Sequence, residues 1–199
     1  MKNLKLLCST SLSAWLISAM LLTLLSSCSS SPIHTANTAN IDTVKIDRFL
    51  QLVDARLAMA RMVAQAKQNA GLPLDDPARE EKILKQALSE AASLGVPEQL
   101  AHDFFQDQFT ASKLLQRRLQ DEWKREKQLH FSAAPSLNND IRPVLDRITP
   151  QLIMALNDVQ KTLVTEEAKQ YFLNRAKVLV RNDFDGEPRK IALRSLVKN

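Results

Sequence analysis

Glycine is scarce in this 199-residue chain, three in all, and there is a single tyrosine. Runs of β-branched residues are few. Tight turns draw on glycine and strands draw on β-branched and aromatic residues, so a sheet-based fold is excluded on both counts. Cysteine occurs only at positions 8 and 28, ahead of most of the chain. A fold that begins after Cys28 has no disulfide and must be held by core packing. The three histidines, His34, His102 and His130, have no partners at ligand spacing, so no metal site is expected and each is assigned a surface role. No basic run carries interleaved aromatics, and a net charge of +5 does not by itself imply nucleic acid. With 45% apolar and 25% charged residues the composition is that of a globular protein, and the class is all-α.

The first residues read as a leader. Lys2 and Lys5 give a basic start, and "AWLISAMLLTLL" is an apolar core too short for a confident membrane span. It ends at Leu25-Ser26-Ser27-Cys28, which resembles a bacterial lipobox, where cleavage leaves the cysteine as a lipidated first residue. Ser29 at the next position looks like outer-membrane sorting. The plainer alternative is a cleaved signal peptide with Cys28 incidental. The expectation is a signal peptide over 1–27, a small, polar, Pro-containing tether over 28–40, and one helical domain over 41–199, exported to the periplasm. Loss of residues 1–27 removes two lysines and no acid, and net charge falls from +5 to +3.

Beyond the tether the apolar period is helical. A long first helix is expected from Ile41 to about Asn69, stopped by Gly71 and Pro73. Asp76-Pro77 supplies an N-cap and a first-turn proline for a second helix, which ends near Leu94 with Gly95 at its C-terminal cap. A third runs from about Pro97 through "DEWKREKQ". "HFSAAPSLNN" reads as a loop. A fourth carries Pro143 in its first turn, and Pro150 marks a kink or a break. Thr165 caps a fifth, and Gly186 and Pro188 precede one short last helix. Three long core helices with C-terminal helices packed on them is the simplest architecture.

One arrangement runs against this ordinary pattern. Arg56 and Lys67 are eleven residues apart, about three turns, and share a face with Phe49, Leu52, Val53, Ala60 and Val63. Ser112 and Gln116 sit four apart within the stripe of Phe105, Phe109, Leu119 and Trp123. Asp76, Arg79 and Glu80 cluster where the second helix begins, and Arg142 lies in the first turn of the fourth. Singly, each has a plain explanation: a stripe cation snorkels its head to water, Asp76 is an N-cap, Glu80 a first-turn acid. Four inward cations on three helices without matching buried acids would be costly unless an anion fills the space. The set suggests a pocket for a small polyanion.

These residues resemble the all-helical chorismate mutases. The arginine-to-lysine spacing, the step to the "DxxR" turn and the Ser/Gln pair all agree, over roughly Ile41 to Asp146. In the small homodimeric members a further arginine comes from the partner's first helix. "DIRPVLDRI" instead looks like the exported subclass, in which a later helix of the same chain supplies it, here Arg142. The resemblance implies a chorismate mutase II-like helical fold, chorismate as substrate, no cofactor, and conversion to prephenate by an intramolecular Claisen rearrangement. It further implies Arg56, Arg79 and Arg142 as carboxylate clamps, Lys67 and Gln116 as donors to the ether oxygen, Asp76 and Glu80 on the ring hydroxyl, and Ser112 on a carboxylate. Some family members carry Glu where Gln116 stands, which donates only when protonated. A homodimer fits the family, although every candidate site residue lies on one chain. Two other readings remain open: a non-catalytic helical envelope lipoprotein whose cations snorkel, and a degenerate member that binds chorismate-like dianions without turnover.

Overall fold

The computed structural model describes residues 41–198. The leader, Cys28, His34 and the tether expected over residues 28–40 lie outside the described residues. The first helix, α1 (Thr43–Ala70), is opened by Asp42, whose side chain accepts from Lys45 N at 3.2 Å. It is closed by Gly71 at φ 62°, a left-handed position that glycine adopts without Cβ strain. α2 (Pro77–Ser93) begins as the sequence requires, with Asp76 accepting from Arg79 N and Pro77 in the first turn. Gly95 at φ 76° turns the chain into α3 (Glu98–Arg125).

The segment read as a loop ends in a single π-helical turn, Leu137–Ile141, which leads directly into α4 (Arg142–Thr162). Ser136 accepts from Asn139 N, while Asp140 accepts from Ser136 N, so the start of the turn is closed reciprocally. Pro150 does not break α4. Thr149 Oγ1 donates to the Leu145 carbonyl, and the buried side chains of Leu152, Ile153 and Leu156 pin the following turns to the core. Those contacts outweigh the one backbone hydrogen bond that proline removes. α5 (Glu166–Leu179) is capped by Thr165, as expected. The single last helix is in fact two, α6 (Glu187–Ala192) and α7 (Arg194–Val197), separated by the buried Leu193.

α1 packs along α3 and α4, and α2 lies across both of those partners. Phe49, Phe104, Phe105 and Phe172 are fully buried, with ring centroids 5.5 Å apart for Phe49 and Phe104 and 6.0 Å for Phe49 and Phe172. This aromatic cluster joins α1, α3 and α5. A smaller one, Ala60, Ala64, Leu115, Leu119 and Trp123, continues the α1–α3 seam, and a third gathers Val63, Ala66 and Ile141. The C-terminal helices are fastened by Asp107, which is buried on α3 and accepts from Arg194 and from Ser195 N. Interleaved with these apolar clusters, one polar stretch of the interior holds the buried Arg56, Lys67 and Gln116.

Candidate active site

The polar stretch forms the wall of a cavity of about 100 Å³ between α1, α2, α3 and the start of α4. Arg56 and Lys67 line it from α1, Asp76, Arg79 and Glu80 from the start of α2, Ser112 and Gln116 from α3, and Arg142 from α4. All eight residues singled out in the sequence therefore face one space. Val63, Leu74, Ile83, Phe109 and Leu145 supply apolar wall between them.

Arg56 is the most constrained member. It is 6% exposed, its Nε is buried without a hydrogen-bond partner, and its guanidinium lies 5.7 Å from the Phe109 ring centroid. No carboxylate pairs with it among the described residues. Burial alone pushes its pKa down to about 10. Lys67 donates from Nζ to the Leu74 carbonyl at 2.6 Å, which ties the end of α1 to the turn before α2. An ammonium has three donors, so this contact leaves two. Burial holds the Lys67 pKa below the usual lysine range; Asp76 and Glu80 oppose that shift and Arg142 adds to it.

The other two cations differ from the sequence expectation of unmatched charge. Arg79 bonds Asp146 at 2.5 Å, and Arg142 reaches Asp76 Oδ2 at 3.4 Å. Asp76 thus serves twice, capping α2 through Oδ1 and meeting Arg142 through Oδ2. Glu80 accepts from Lys113 Nζ at 3.0 Å, and Asp75 meets Lys113 at 3.4 Å and Arg117 at 3.2 Å. Lys113 and Asp146 were not picked out from sequence. Helical period along the chain sets neither of them apart. Both pair across helices instead, a relation that spacing along one helix does not encode. His102 bonds Asp103 and His130 is exposed, and neither lines the cavity.

Gln116 is buried and donates from Nε2 to Ser112 Oγ at 2.9 Å, leaving Oε1 buried without a partner. A half-turn of the amide keeps the Ser112 contact, with the hydroxyl now donating, and presents Nε2 in place of Oε1. The arrangement can therefore offer an N–H donor to the cavity beside the ammonium of Lys67. With Arg79 and Arg142 drawn onto protein acids, the enclosed space is well below the ~300 Å³ at which drug-sized ligand pockets begin. The forked donors of these arginines match a carboxylate, so each can pair with one in place of Asp146 or Asp76. Among the described residues no group of three or more His, Cys, Asp or Glu side chains is placed to hold a metal ion.

The family model described as chorismate mutase type II matches residues 38–117, which hold seven of the eight residues and omit Arg142. Two curated relatives, each named a secreted chorismate mutase, are similar to this chain. The one from Yersinia pestis is 26% identical over 125 residues, covering 62% of this chain and 66% of its own. The one from Mycolicibacterium smegmatis is 29% identical over 126 residues, covering 62% and 63%. The chain thus spans just under two thirds of the length of these relatives. Among solved structures, the chorismate mutase of Burkholderia thailandensis superposes with a TM-score of 0.69 at 30% identity, over 77% of this chain and 99% of that one. The chorismate mutase of Burkholderia phymatum gives 0.64 at 23% identity, over 78% and 99%, a likeness of fold.

The isolated state of Arg56 has a measurable consequence. Replacing a buried, unpaired charge by an apolar chain of similar length relieves desolvation. Arg56→Met is expected to raise the stability of the ligand-free protein by about 1 kcal/mol or more in denaturant unfolding. A loss of stability of that size would show that the guanidinium has a stabilising partner.

Proposed function

This chain belongs to the type II chorismate mutase family, and from that premise we propose that it converts chorismate to prephenate outside the cytoplasm. The observation that carries the reading is Arg56, a guanidinium buried without a carboxylate in a cavity lined by seven further residues at the family's spacings. A snorkelling cation on a non-catalytic envelope protein would reach water, and this one does not.

In the rearrangement one C–O bond breaks and one C–C bond forms within a single molecule, with no proton transferred and no nucleophile needed. The site has two tasks: to hold a flexible dicarboxylate in a folded geometry, and to stabilise charge that grows on the ether oxygen. Arg56, Arg79 and Arg142 act as the carboxylate clamps, supported by Ser112. Lys67 and Gln116 donate to the ether oxygen. Asp76 and Glu80 orient the ring hydroxyl, and Lys113 holds Glu80 in place. Fixed donors in a desolvated wall act more strongly than water because they need no reorganisation as charge develops. No cofactor enters the chemistry.

Export is supported by the basic, apolar leader and by the names of the two secreted relatives. We further read Cys28 as the lipidated first residue of the mature protein, tethered by residues 28–40, with residues 41–199 as the catalytic domain. The mass of the N-terminal peptide from cells decides this: a diacylglyceryl adduct on Cys28 supports the anchor, and an unmodified or different N-terminus removes it.

Loss of chorismate absorbance in the ultraviolet tests the activity directly. Lys67→Ala is expected to lower kcat by roughly a hundredfold or more, the usual effect of removing one preorganised donor. Near-normal turnover in that variant would overturn the site assignment, and no turnover in the unaltered protein would overturn the function. The pH profile is a separate check. An amide donates at every pH, so the rate is expected to stay nearly flat through neutrality, while Gln116→Glu creates an acidic optimum. On the alkaline side Lys67 must keep its proton, and burial lowers its pKa in the free protein. Accordingly kcat/KM falls as pH rises through a value below the ordinary lysine range. A bound dianion restores negative charge beside Lys67 and raises that pKa, so kcat persists to higher pH. Coincident alkaline limbs for the two parameters would argue against Lys67 facing the substrate.

A further inference from the structure

Three successive residues in the last turn of α1 fasten three different parts of the chain. Lys67 holds the Leu74 carbonyl, ahead of α2. Gln68 donates from Nε2 to the Gln128 carbonyl at 2.7 Å. Asn69 spends its whole amide on one residue: Nδ2 donates to the Phe131 carbonyl at 2.7 Å, and Oδ1 accepts from Phe131 N at 2.9 Å. Successive side chains leave a helix about 100° apart, and of these three only Lys67 lines the catalytic cavity. Gln128 and Phe131 belong to the connection between α3 and α4. Residues 128–131 lie in no helix or turn, so side-chain amides supply backbone pairing that no ladder provides. The Phe131 ring adds an edge contact to Trp123, with centroids 4.5 Å apart.

This connection leads to Arg142. Beyond Phe131 it passes over a cleft of about 440 Å³, lined from α1 by Ala66, Asn69 and Ala70 and from the connection by Pro135, Ser136 and Asn138. At the far end Leu137 and Ile141 pack on Val63 and Ala66. The stretch is thus gripped at its two ends and open beneath its middle. Arg142 lines both this cleft and the catalytic cavity. Its Nη1 donates to Asn138 Oδ1 at 2.5 Å, while its Nη2 reaches Asp76 at 3.4 Å. The closer of the two contacts is the one made to the connection, so the guanidinium follows the connection's placement.

We propose that Asn69 is a positioning residue for Arg142. By pairing with both backbone groups of Phe131 it sets where the connection crosses the cleft. The connection, through Asn138, then holds the guanidinium at the edge of the catalytic cavity. The inference rests on Arg142 serving as a carboxylate clamp in the proposed reaction. Asn69 is exposed and does not line the catalytic cavity, so it touches no reacting atom. Its effect is geometric: a misplacement on the order of 1 Å at a binding group costs up to about a hundredfold in rate.

Amide hydrogen exchange and steady-state kinetics test it together, with Asn69→Ala made in three backgrounds. In the otherwise unaltered protein the Phe131 amide is expected to exchange about tenfold faster or more, since its acceptor is gone. Amides around the buried Phe104 and Phe105 keep their rates, which shows that the fold is intact. There kcat/KM is expected to fall about tenfold. Arg142→Lys keeps a cation, so turnover stays measurable, but loses the fork that spans Asn138 and Asp76. In that background Asn69→Ala is expected to cost less than about twofold, the non-additivity of two residues acting through one contact. In Arg79→Lys, a clamp outside the connection, it still costs about tenfold. A loss carried in full into Arg142→Lys overturns the assignment, because Asn69 would then act on another part of the site, such as Lys67. So does an unchanged kcat/KM, or a Phe131 amide that exchanges as slowly as before. Absence of turnover in the unaltered protein overturns the proposed function and this assignment with it, whereas turnover without the coupling removes the assignment alone.

Discussion

A guanidinium that is buried and has no carboxylate to meet it is the constraint around which this fold is arranged. Arg56 sits on α1 where an apolar residue would complete the seam with α3, and its nearest compensation is the face of Phe109. Such a group is tolerated only if the surrounding helices bury enough apolar surface to carry its desolvation. They do so. The phenylalanine cluster of α1, α3 and α5 lies towards the N-terminal half of α1, and Leu115, Leu119 and Trp123 meet Ala60 and Ala64 on the stretch of α1 between Arg56 and Lys67. These apolar contacts fix α1 against α3 while Arg56 and Lys67 project into the cavity beside them.

The remaining charges show a second way of carrying the same burden. Arg79, Arg142 and Lys113 each lean on an acid from another segment: Asp146, Asp76 and Glu80. These pairs are partly exposed, so each contributes little to stability. Their effect is geometric. Lys113 and Arg117 draw the turn of Asp75 and Glu80 onto α3, and the Lys67–Leu74 contact draws the same turn onto α1. The short break after α1 is thereby fastened from two sides, which fixes where Asp76 and Arg79 face.

Much of this was legible in the sequence, because it depends on local rules. Gly71, Asp76-Pro77 and Gly95 act through their own backbone preferences, and the structure uses each where the chain spacing puts it. The shared face of Arg56 and Lys67, and that of Ser112 and Gln116, follows from helical period alone. What escaped depends on contacts between segments. Pro150 is carried within α4 because the core grips the turns that follow it. Asp146 and Lys113 are ordinary surface residues until the helices are placed beside one another. The division of the last helix at Leu193 follows from that side chain turning inward, and nothing in its immediate neighbours announces it.

The acids of the site also bear on why its cations divide into two kinds. A site made only of unpaired arginines would repel itself, and its helices would have to hold that repulsion in the absence of ligand. A site made only of paired ones would have to break every pair to accept a dianion. Here Arg56 is permanently available, while Arg79 and Arg142 rest on protein carboxylates at the cavity's edge. For those two, a ligand carboxylate would exchange one acceptor for another of the same geometry, and the displaced aspartates are close enough to the surface to regain water. Asp146 is the more exposed of the two, with 58% of its side chain accessible against 38% for Asp76. On the proposed function the exchange would therefore be easier at Arg79, and Asp76, bound to the start of α2 through Oδ1, would stay beside the ligand once Arg142 had left it.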